Sequence, residues 1–389
     1  MPKFIEVFWR FLLLGCISFG GPAAHIGYFK HAFVDKFKWL DEHNYAQLIS
    51  LSQFLPGPGS SQIGFAIGLQ RAGLLGGIAA FLGFTLPSFM LLYALAVIDI
   101  SGSQHQVLTG LVHGLKLLAV VVVADATLSM FNAFCKTKWS ISIAVASAVT
   151  LLMLPSLMTQ MGVLILAAIA GVIYNQNPEN HPTTQADNQA TNSSRLNKPV
   201  LILSALLFIG LPLTAHWSPI MAILADFYRA GSLVFGGGHV VLPLLQQLIG
   251  DAMATEQFLL GYAAAQAVPG PMFSLAAFLG AELSQGNLLL GAAVATLAVF
   301  LPGLLLVYGV SGAWQMWAAK PKVAGAICGV NAAVVGLLLS ALFEPVFISA
   351  VTNATEMAFV IAGFFALKVW KMPVLALVIG FACLGAFVL

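Results

Sequence analysis

The chain has 389 residues, 60% of them hydrophobic, and only 8% are Asp, Glu, Lys or Arg. Soluble domains carry about 25% charged residues, so a water-covered surface cannot be built from this sequence; a soluble enzyme, a disordered chain and a disulfide scaffold are excluded. The 16 basic and 14 acidic residues leave a net charge of +2, with no basic patch for nucleic acid.

What remains is an all-α polytopic membrane protein. Phe4–Tyr28 is an apolar segment holding Arg10 and the helix breaker Gly20-Gly21-Pro22. It reads as part of the fold and not as a cleavable signal. Lys30, Lys36 and Lys38 follow, then Tyr45–Gln70 with a second breaker, Pro56-Gly57-Pro58-Gly59. Spanning needs about 20 apolar residues, and Leu74–Ile98 supplies them. Gln106–Asn132 is long enough but carries Lys116 and Asp125, and Trp139–Pro155 and Leu157–Tyr174 form a pair. Asn175–Pro199 is rich in Asn, Gln, Thr, Ser and Pro and reads as a solvated linker. Val200–Trp217 is a further span. After it come Asn287–Trp317, Val323–Phe343, Val346–Leu367 (interrupted by Glu356) and Met372–Leu389. Cys16, Cys135, Cys328 and Cys383 are far apart and read as small apolar residues.

The two hydrophobic halves repeat each other at a nearly constant offset. Phe11, Gly15, Phe19, Gly20 and Gly21 recur as Phe227, Gly231, Phe235, Gly236 and Gly237. Gln53, Pro56, Gly57 and Pro58 recur as Gln266, Pro269, Gly270 and Pro271. Gly76, Pro87, Gly110 and Gly114 recur as Gly291, Pro302, Gly325 and Gly329. The expected organisation is a first repeat over 1–174, a linker over 175–199, an orientation-inverting helix over 200–218 and a second repeat over 219–389. Four spans per repeat and one extra crossing make the repeats inverted.

Charge tests the topology. If Phe4–Tyr28, Tyr45–Gln70 and their counterparts dip in and return, 13 of the 16 basic residues share one side, from Lys3 and Lys36 to Lys368 and Lys371. Asp99, Asp251, Glu256, Glu282, Glu344 and Glu356 sit on the other side. The positive-inside rule then makes the N-terminus and linker cytoplasmic. This arrangement has about 9 full spans and 4 re-entrant segments. The alternative lets the segments cross, gives 13 spans and moves Lys30, Lys36 and Lys38 outside.

Broken helices at membrane depth are tolerated where they line a polar cavity or are buried in protein. Helices restarting after each break present free N–H groups and a positive dipole end. Several such ends near a pseudo-twofold axis make an anion site. Gly20, Gly21, Pro56, Gly57, Gly236, Gly237 and Gly270 are therefore candidate site residues, with Ser60, Ser61 and Ser274 adding hydroxyl donors. The bland alternative is that Gly and Pro only permit close packing. Arg10 and Arg229 precede the Gly-Gly breaks; a guanidinium suits a tetrahedral oxyanion, although Arg10 can also snorkel to the interface. Lys116, Asp125, His25 and His239 are candidates for coupling or charge, and His113 is a third histidine suited to relaying protons. The plainer role for each histidine is hydrogen-bonded packing.

The motif set Phe8-Trp9-Arg10, Ser18-Phe19-Gly20-Gly21-Pro22, Phe33-Val34-Asp35, Trp39-Leu40 and Gln53-Phe54-Leu55-Pro56-Gly57-Pro58 resembles the chromate transporter family. The second half carries its own Phe-Gly-Gly-Gly and Val-Pro-Gly-Pro, so the chain is similar to the long, two-domain form. The resemblance implies a carrier in the plasma membrane, of bacterial inner-membrane type, that expels chromate. A secondary active transporter with alternating access between the repeats is the expected function. A sulfate uptake or exchange carrier and an anion channel are the alternatives. No cluster has catalytic or metal spacing, so no enzyme activity, metal or cofactor is expected. The expected partners are a chromate- or sulfate-like oxyanion and membrane lipid, and a homodimer stays open as the assembly.

Overall fold

The computed structural model describes residues 2–19, 21–98, 105–174, 196–234, 241–249, 252–314 and 320–388. Every regular element among them is a helix. The first half contains α1 (Lys3–Ile17), α2 (Gly21–Phe29, continued by a π-helical stretch Lys30–Lys36), α3 (Glu42–Phe54), α4 (Gly59–Val97), α5 (His105–Phe134), α6 (Lys138–Met153) and α7 (Leu157–Tyr174). Then come α8 (Lys198–Thr214), α9 (Pro219–Leu233), α10 (Val241–Ile249), α11 (Thr255–Ala267), α12 (Leu275–Glu282), α13 (Leu288–Val310), α14 (Pro321–Ala341), α15 (Ala354–Lys368) and α16 (Val374–Val388).

Helix starts follow local chemistry. Asp41 caps α3 by accepting from the Asn44 N–H, and Asn287 and Asn353 cap α13 and α15 in the same way. Thr137 and Ser140 form a reciprocal capping box at α6. Each such cap is worth about 1 kcal/mol.

Five helical stretches among the described residues are long and apolar enough to cross a membrane: Gly59–Val97, His113–Phe134, Lys198–Trp217, Leu288–Ala313 and Pro321–Ala350. Gly59–Val97 is not a single rod. A straight helix of 39 residues would be about 58 Å long, roughly twice the hydrocarbon thickness. The chain leaves helical geometry at Ala72 and Gly73. Its two arms, 59–71 and 74–97, then fold back on each other with Gly68 against the Gly76 carbonyl and Gly77 against the Phe65 ring. The second half repeats this contact, with Gly280 of α12 against the Gly291 carbonyl of α13. Without a hydrophobic drive between helices in lipid, such backbone approaches supply the packing.

The same small-residue logic recurs at positions related by the sequence offset. Gly15 on α1 lies against the carbonyls of Gly83 and Phe84, and Gly231 on α9 against that of Val299. Gly110 and Gly114 on α5 meet Gly385 and Phe381 on α16, whereas Gly325 and Gly329 on α14 meet Gly171 and Ala167 on α7. Each half therefore lends α7 or α16 to the other.

The course of the chain from Lys3 to Arg71 is fixed by contacts. Phe11 on α1 packs on Phe29 and Phe33, so α2 and its π-helical continuation run back along α1. The Arg10 guanidinium sits 4.1 Å from the Phe37 ring centre. Arg71, ending the next excursion, pairs with Glu6 at 3.3 Å and lies 4.8 Å from the Trp39 ring centre. Both excursions thus end beside the start of α1.

Two expected spans differ in detail. Val346–Leu367 is not one helix: Glu344 has extended backbone angles within Leu342–Phe347, a single α-helical turn covers Ile348–Ala350, Val351 is extended, and a longer helix starts only at Ala354. Glu356 is thereby a first-turn residue and not an interruption of a span. The helices α6 and α15, of 16 and 15 residues, rise only about 22–24 Å, short of the ~30 Å core.

Candidate functional site

The breaks of the two halves meet. The Gly57 N–H donates to the Val234 carbonyl at 2.6 Å, and the Gly270 N–H donates to the Ser18 carbonyl at 2.9 Å. These bonds are reciprocal: the Pro-Gly-Pro of each half is tied to the end of the first helix of the other. Gly57 has φ +128° and Gly270 φ +103°, a region open to glycine and costly for other residues. A side chain at Gly57 would also meet the Gly303 Cα, and one at Gly270 the Ser88 Oγ. Gly303 is the counterpart of Ser88 under the same offset that relates Pro87 to Pro302, so these contacts are reciprocal as well.

Polar groups concentrate around the first break. His25 is fully buried; its ring nitrogens lie 3.1 Å from the Ser60 Oγ and 3.2 Å from the Ser18 carbonyl. Its ring packs edge-on against Phe84. The Gln62 amide donates to the carbonyls of Pro56 at 2.9 Å and Gly303 at 3.3 Å. Ser88 and Ser274 share a hydrogen bond of 2.7 Å across the halves. Ser60, Ser61 and Gln62 occupy the first turn of the arm 59–71; the Gln62 N–H closes the first helical bond, to the Pro58 carbonyl at 2.9 Å, and the N–H groups before it have no partner within the helix. The Ser61 and Ser18 hydroxyls and the Gln62 carbonyl oxygen are buried with no hydrogen-bond partner among the described residues. An unmade hydrogen bond of this kind costs about 1–3 kcal/mol.

The offset explains why Ser61 is unpaired. Its counterpart is Ser274, which bonds Ser88. The counterpart of Ser88 is Gly303, which has no side chain to offer Ser61. Ser60 and Gln62 correspond to Phe273 and Leu275, so the first break is polar and the second is largely apolar.

Of the other sequence candidates, Pro56, Gly57, Ser60, Ser61, Gly270, Ser274 and His25 join this cluster, and Gly21 opens α2 beside it. Gly20, Gly236, Gly237 and His239 lie outside the described residues. Arg10 is half-buried on Phe37, eight residues and about 12 Å along the helix from Ser18. Arg229 is half-buried on α9, one turn from Asp226. Asp125 pairs with Lys368 at 2.7 Å, and Lys116 is buried on α5. His113 pairs with Glu356 at 2.8 Å, and Glu356 also accepts from the Thr352 N–H and hydroxyl. A separate cavity of about 200 Å³ is lined by Gln160, Gln246, Gln247, Ser340 and Glu344 and touches none of the break residues. From sequence, Ser18 stands out only as part of a family motif, and Val234, Ser88 and Gly303 pass unremarked. The signal for the last two was present, since each directly follows a proline of the Pro87/Pro302 pair.

Residues 5–173 and 221–386 match the family described as chromate transporter. The chain belongs to the chromate transporter family. It is 29% identical to a probable chromate transport protein of Synechococcus elongatus, over 85% of this chain and 81% of that one. It is 26% identical to chromate transport proteins of Pseudomonas aeruginosa, over 86% of this chain and 79% of the relative, and of Cupriavidus metallidurans, over 96% and 90%. No solved structure matches it. Family and apolar helices together make it a multi-pass membrane protein. Its relatives are named as transport proteins, which points away from an enzyme.

Proposed function

We propose that this protein is a secondary carrier that exports chromate, or a similar tetrahedral oxyanion, across the plasma membrane. The site is the junction of the broken helices, and access alternates between two inverted repeats, 1–174 and 219–389. The linker 175–199 and the N-terminus are cytoplasmic, the helix 200–218 inverts the second repeat, and the segments around the breaks are re-entrant. The observation that carries the reading is the buried, unpartnered Ser61 hydroxyl in the first turn of the arm 59–71. Support for re-entry comes from the return of Arg71 to Glu6 and Trp39. Support for the repeats comes from the reciprocal bonds Gly57–Val234 and Gly270–Ser18.

Neutral donors at the centre suit a dianion that must be released again. Arg10, Arg229 and Lys116 add positive charge around it. Moving one charge through 100 mV is worth about 2.3 kcal/mol, so an inside-negative potential favours export by about that much for each net negative charge carried. The test is chromate uptake into everted membrane vesicles, with and without a pH gradient. Ser61→Ala should raise KM at unchanged protein level, and unlabelled sulfate in excess reports whether sulfate shares the site. Unchanged kinetics in Ser61→Ala would remove the site from the break. Flux that fails to saturate would favour a channel.

A further inference from the structure

His25 joins three elements at the break. One ring nitrogen faces the Ser18 carbonyl at the end of α1, and the other faces the Ser60 hydroxyl at the start of the arm 59–71. The geometry determines the direction of both bonds. A carbonyl oxygen only accepts, so Nε2 carries hydrogen and donates to Ser18. In the neutral ring Nδ1 then has no hydrogen and must accept from Ser60. Ser18 cannot relax this constraint easily, because its carbonyl also takes the Gly270 N–H from the other half and both lone pairs are engaged. In neutral His25, therefore, the single hydrogen of the Ser60 hydroxyl points at the ring. Only lone pairs of Ser60 remain for any other neighbour, and lone pairs repel an anion.

One proton reverses this. Added at Nδ1, it makes that nitrogen a donor to the Ser60 oxygen. The Ser60 hydrogen is released to turn toward the break, and a positive charge appears on the ring. No covalent bond other than N–H forms, and none breaks. We infer that His25 binds a proton together with the oxyanion, switching Ser60 from acceptor to donor so that each guest strengthens the binding of the other. His25 is in this sense a positioning residue acting through Ser60. The inference rests on the proposed oxyanion site.

The surroundings leave the ring as the responsive group. From α1 it meets the Ser18 carbonyl, and from α4 it meets Ser60 and the Phe84 ring. From α3 the Tyr45 hydroxyl approaches α2 but is spent on the Ile26 carbonyl at 2.6 Å. On the π-helical continuation of α2, Lys30 is paired with Glu42, and at the far end of α1 Glu6 is paired with Arg71. The second half contributes the Gly270 N–H through Ser18. By linkage, whatever the anion does for the proton the proton does for the anion.

The test uses purified full-length protein in proteoliposomes, with chromate as the probe and a pH-sensitive dye in the lumen. Chromate is itself protonated in weakly acidic solution, so the readout is the difference between variants at each pH. Wild type should move protons with chromate and lower its KM about tenfold between pH 8 and pH 6, beyond the change seen in His25→Gln. The flux remaining in His25→Gln should carry no protons. Ser60→Ala, which leaves the His25–Ser18 bond in place, should lose most of the pH effect on KM and covers the case in which His25→Gln fails to fold. Ser61→Ala should weaken binding equally at both pH values. Identical proton-to-anion ratios and pH profiles in wild type and His25→Gln overturn the inference, as does an unaltered profile in Ser60→Ala. An unaffected Ser61→Ala alongside a lost pH effect in His25→Gln instead overturns the placement of the anion and leaves the proton assignment standing. Wild type that moves no chromate overturns the proposed function and this inference with it.

Discussion

Replacing Gly57 by Ala probes the junction of the two halves most directly. Two costs add. An alanine at φ +128° is strained by about 1–3 kcal/mol. Its Cβ would also stand 2.8 Å from the Gly303 Cα and 2.9 Å from the Gln62 Nε2. The first neighbour is backbone and cannot swing away, so overpacking adds about 1–3 kcal/mol. Relieving the clash pulls Gly57 from the Val234 carbonyl, which its N–H holds at 2.6 Å. A total of about 2–6 kcal/mol is a large part of the 5–15 kcal/mol that typically stabilises a folded protein. Gly59→Ala is the internal control. There the nearest atoms are the Ser52 carbonyl oxygen and hydroxyl at 3.8 and 3.9 Å, and alanine is the better helix former by about 1 kcal/mol. Thermal melting in detergent, monitored by size-exclusion fluorescence, should show Gly57→Ala melting well below wild type. Gly59→Ala should melt with wild type or above it, and chromate flux per folded molecule should fall only in the former. Equal melting and equal flux in the two variants would refute the backbone junction. Gly270→Ala, facing the Ser88 Oγ at 2.9 Å with φ +103°, should resemble Gly57→Ala.

Lys36→Cys in a cysteine-free background should react with a membrane-impermeant maleimide only from the cytoplasmic side; labelling of intact cells from outside would replace the re-entrant course by a crossing one. Gly303→Ser should raise the KM for chromate several-fold by crowding the break, since its Cβ would stand 3.1 Å from the Gln62 Nε2 and from the Pro58 Cδ; a Gly303→Ser protein with wild-type KM and melting temperature would refute that crowding. Gly68→Val should lower melting by wedging the arms of α4 apart at the Gly76 carbonyl, while the same change at Gly162, where an added Cβ meets nothing within 4 Å, should leave it unchanged. Lys368→Ala should cost at most about 1 kcal/mol, as expected for a partly exposed pair with Asp125; a loss several times larger would show a buried role for that bond.

The local signals were legible in the sequence and the distant ones were not. Leu157–Tyr174 is a helix with the boundaries expected, because apolar length and a flanking proline are local. The breakers at Pro56 and Pro269 stand where composition puts them for the same reason. The turn at Ala72 and Gly73 falls between the expected segments Tyr45–Gln70 and Leu74–Ile98, whereas the packing of the two arms against each other at Gly68 and Gly76 is a contact that composition does not carry. Glu356 looked like a charge within a span. It is a first-turn residue held by Thr352 and His113, and His113 comes from the other half. Arg10 is near a break in sequence, and the helix that carries it sets it about 12 Å from Ser18 and lays it on Phe37, a distance that sequence proximity does not show. Ser61 and Ser274 are equal candidates in the sequence and differ in the structure because Ser274 finds Ser88 in the opposite half and Ser61 finds no partner among the described residues.

The reciprocal bonds also account for how the halves came to differ without losing their common frame. The donors Gly57 and Gly270 and the acceptors Val234 and Ser18 are all backbone groups, so the junction constrains φ and side-chain volume but not polarity. Side chains beside it are free to diverge. Ser60 and Gln62 face Phe273 and Leu275 across the offset, and Ser88 faces Gly303. One break thereby keeps a polar cradle with a histidine beneath it, and the other is filled and closed by its own Ser88–Ser274 bond. A carrier of the proposed kind needs the shared frame to exchange conformations and a single cradle to hold the anion. It also needs that cradle to let go. Backbone and hydroxyl donors, with a single charge on His25 that leaves with its proton, hold a dianion and still release it, whereas two fixed guanidiniums at the centre would bind it too well to turn over.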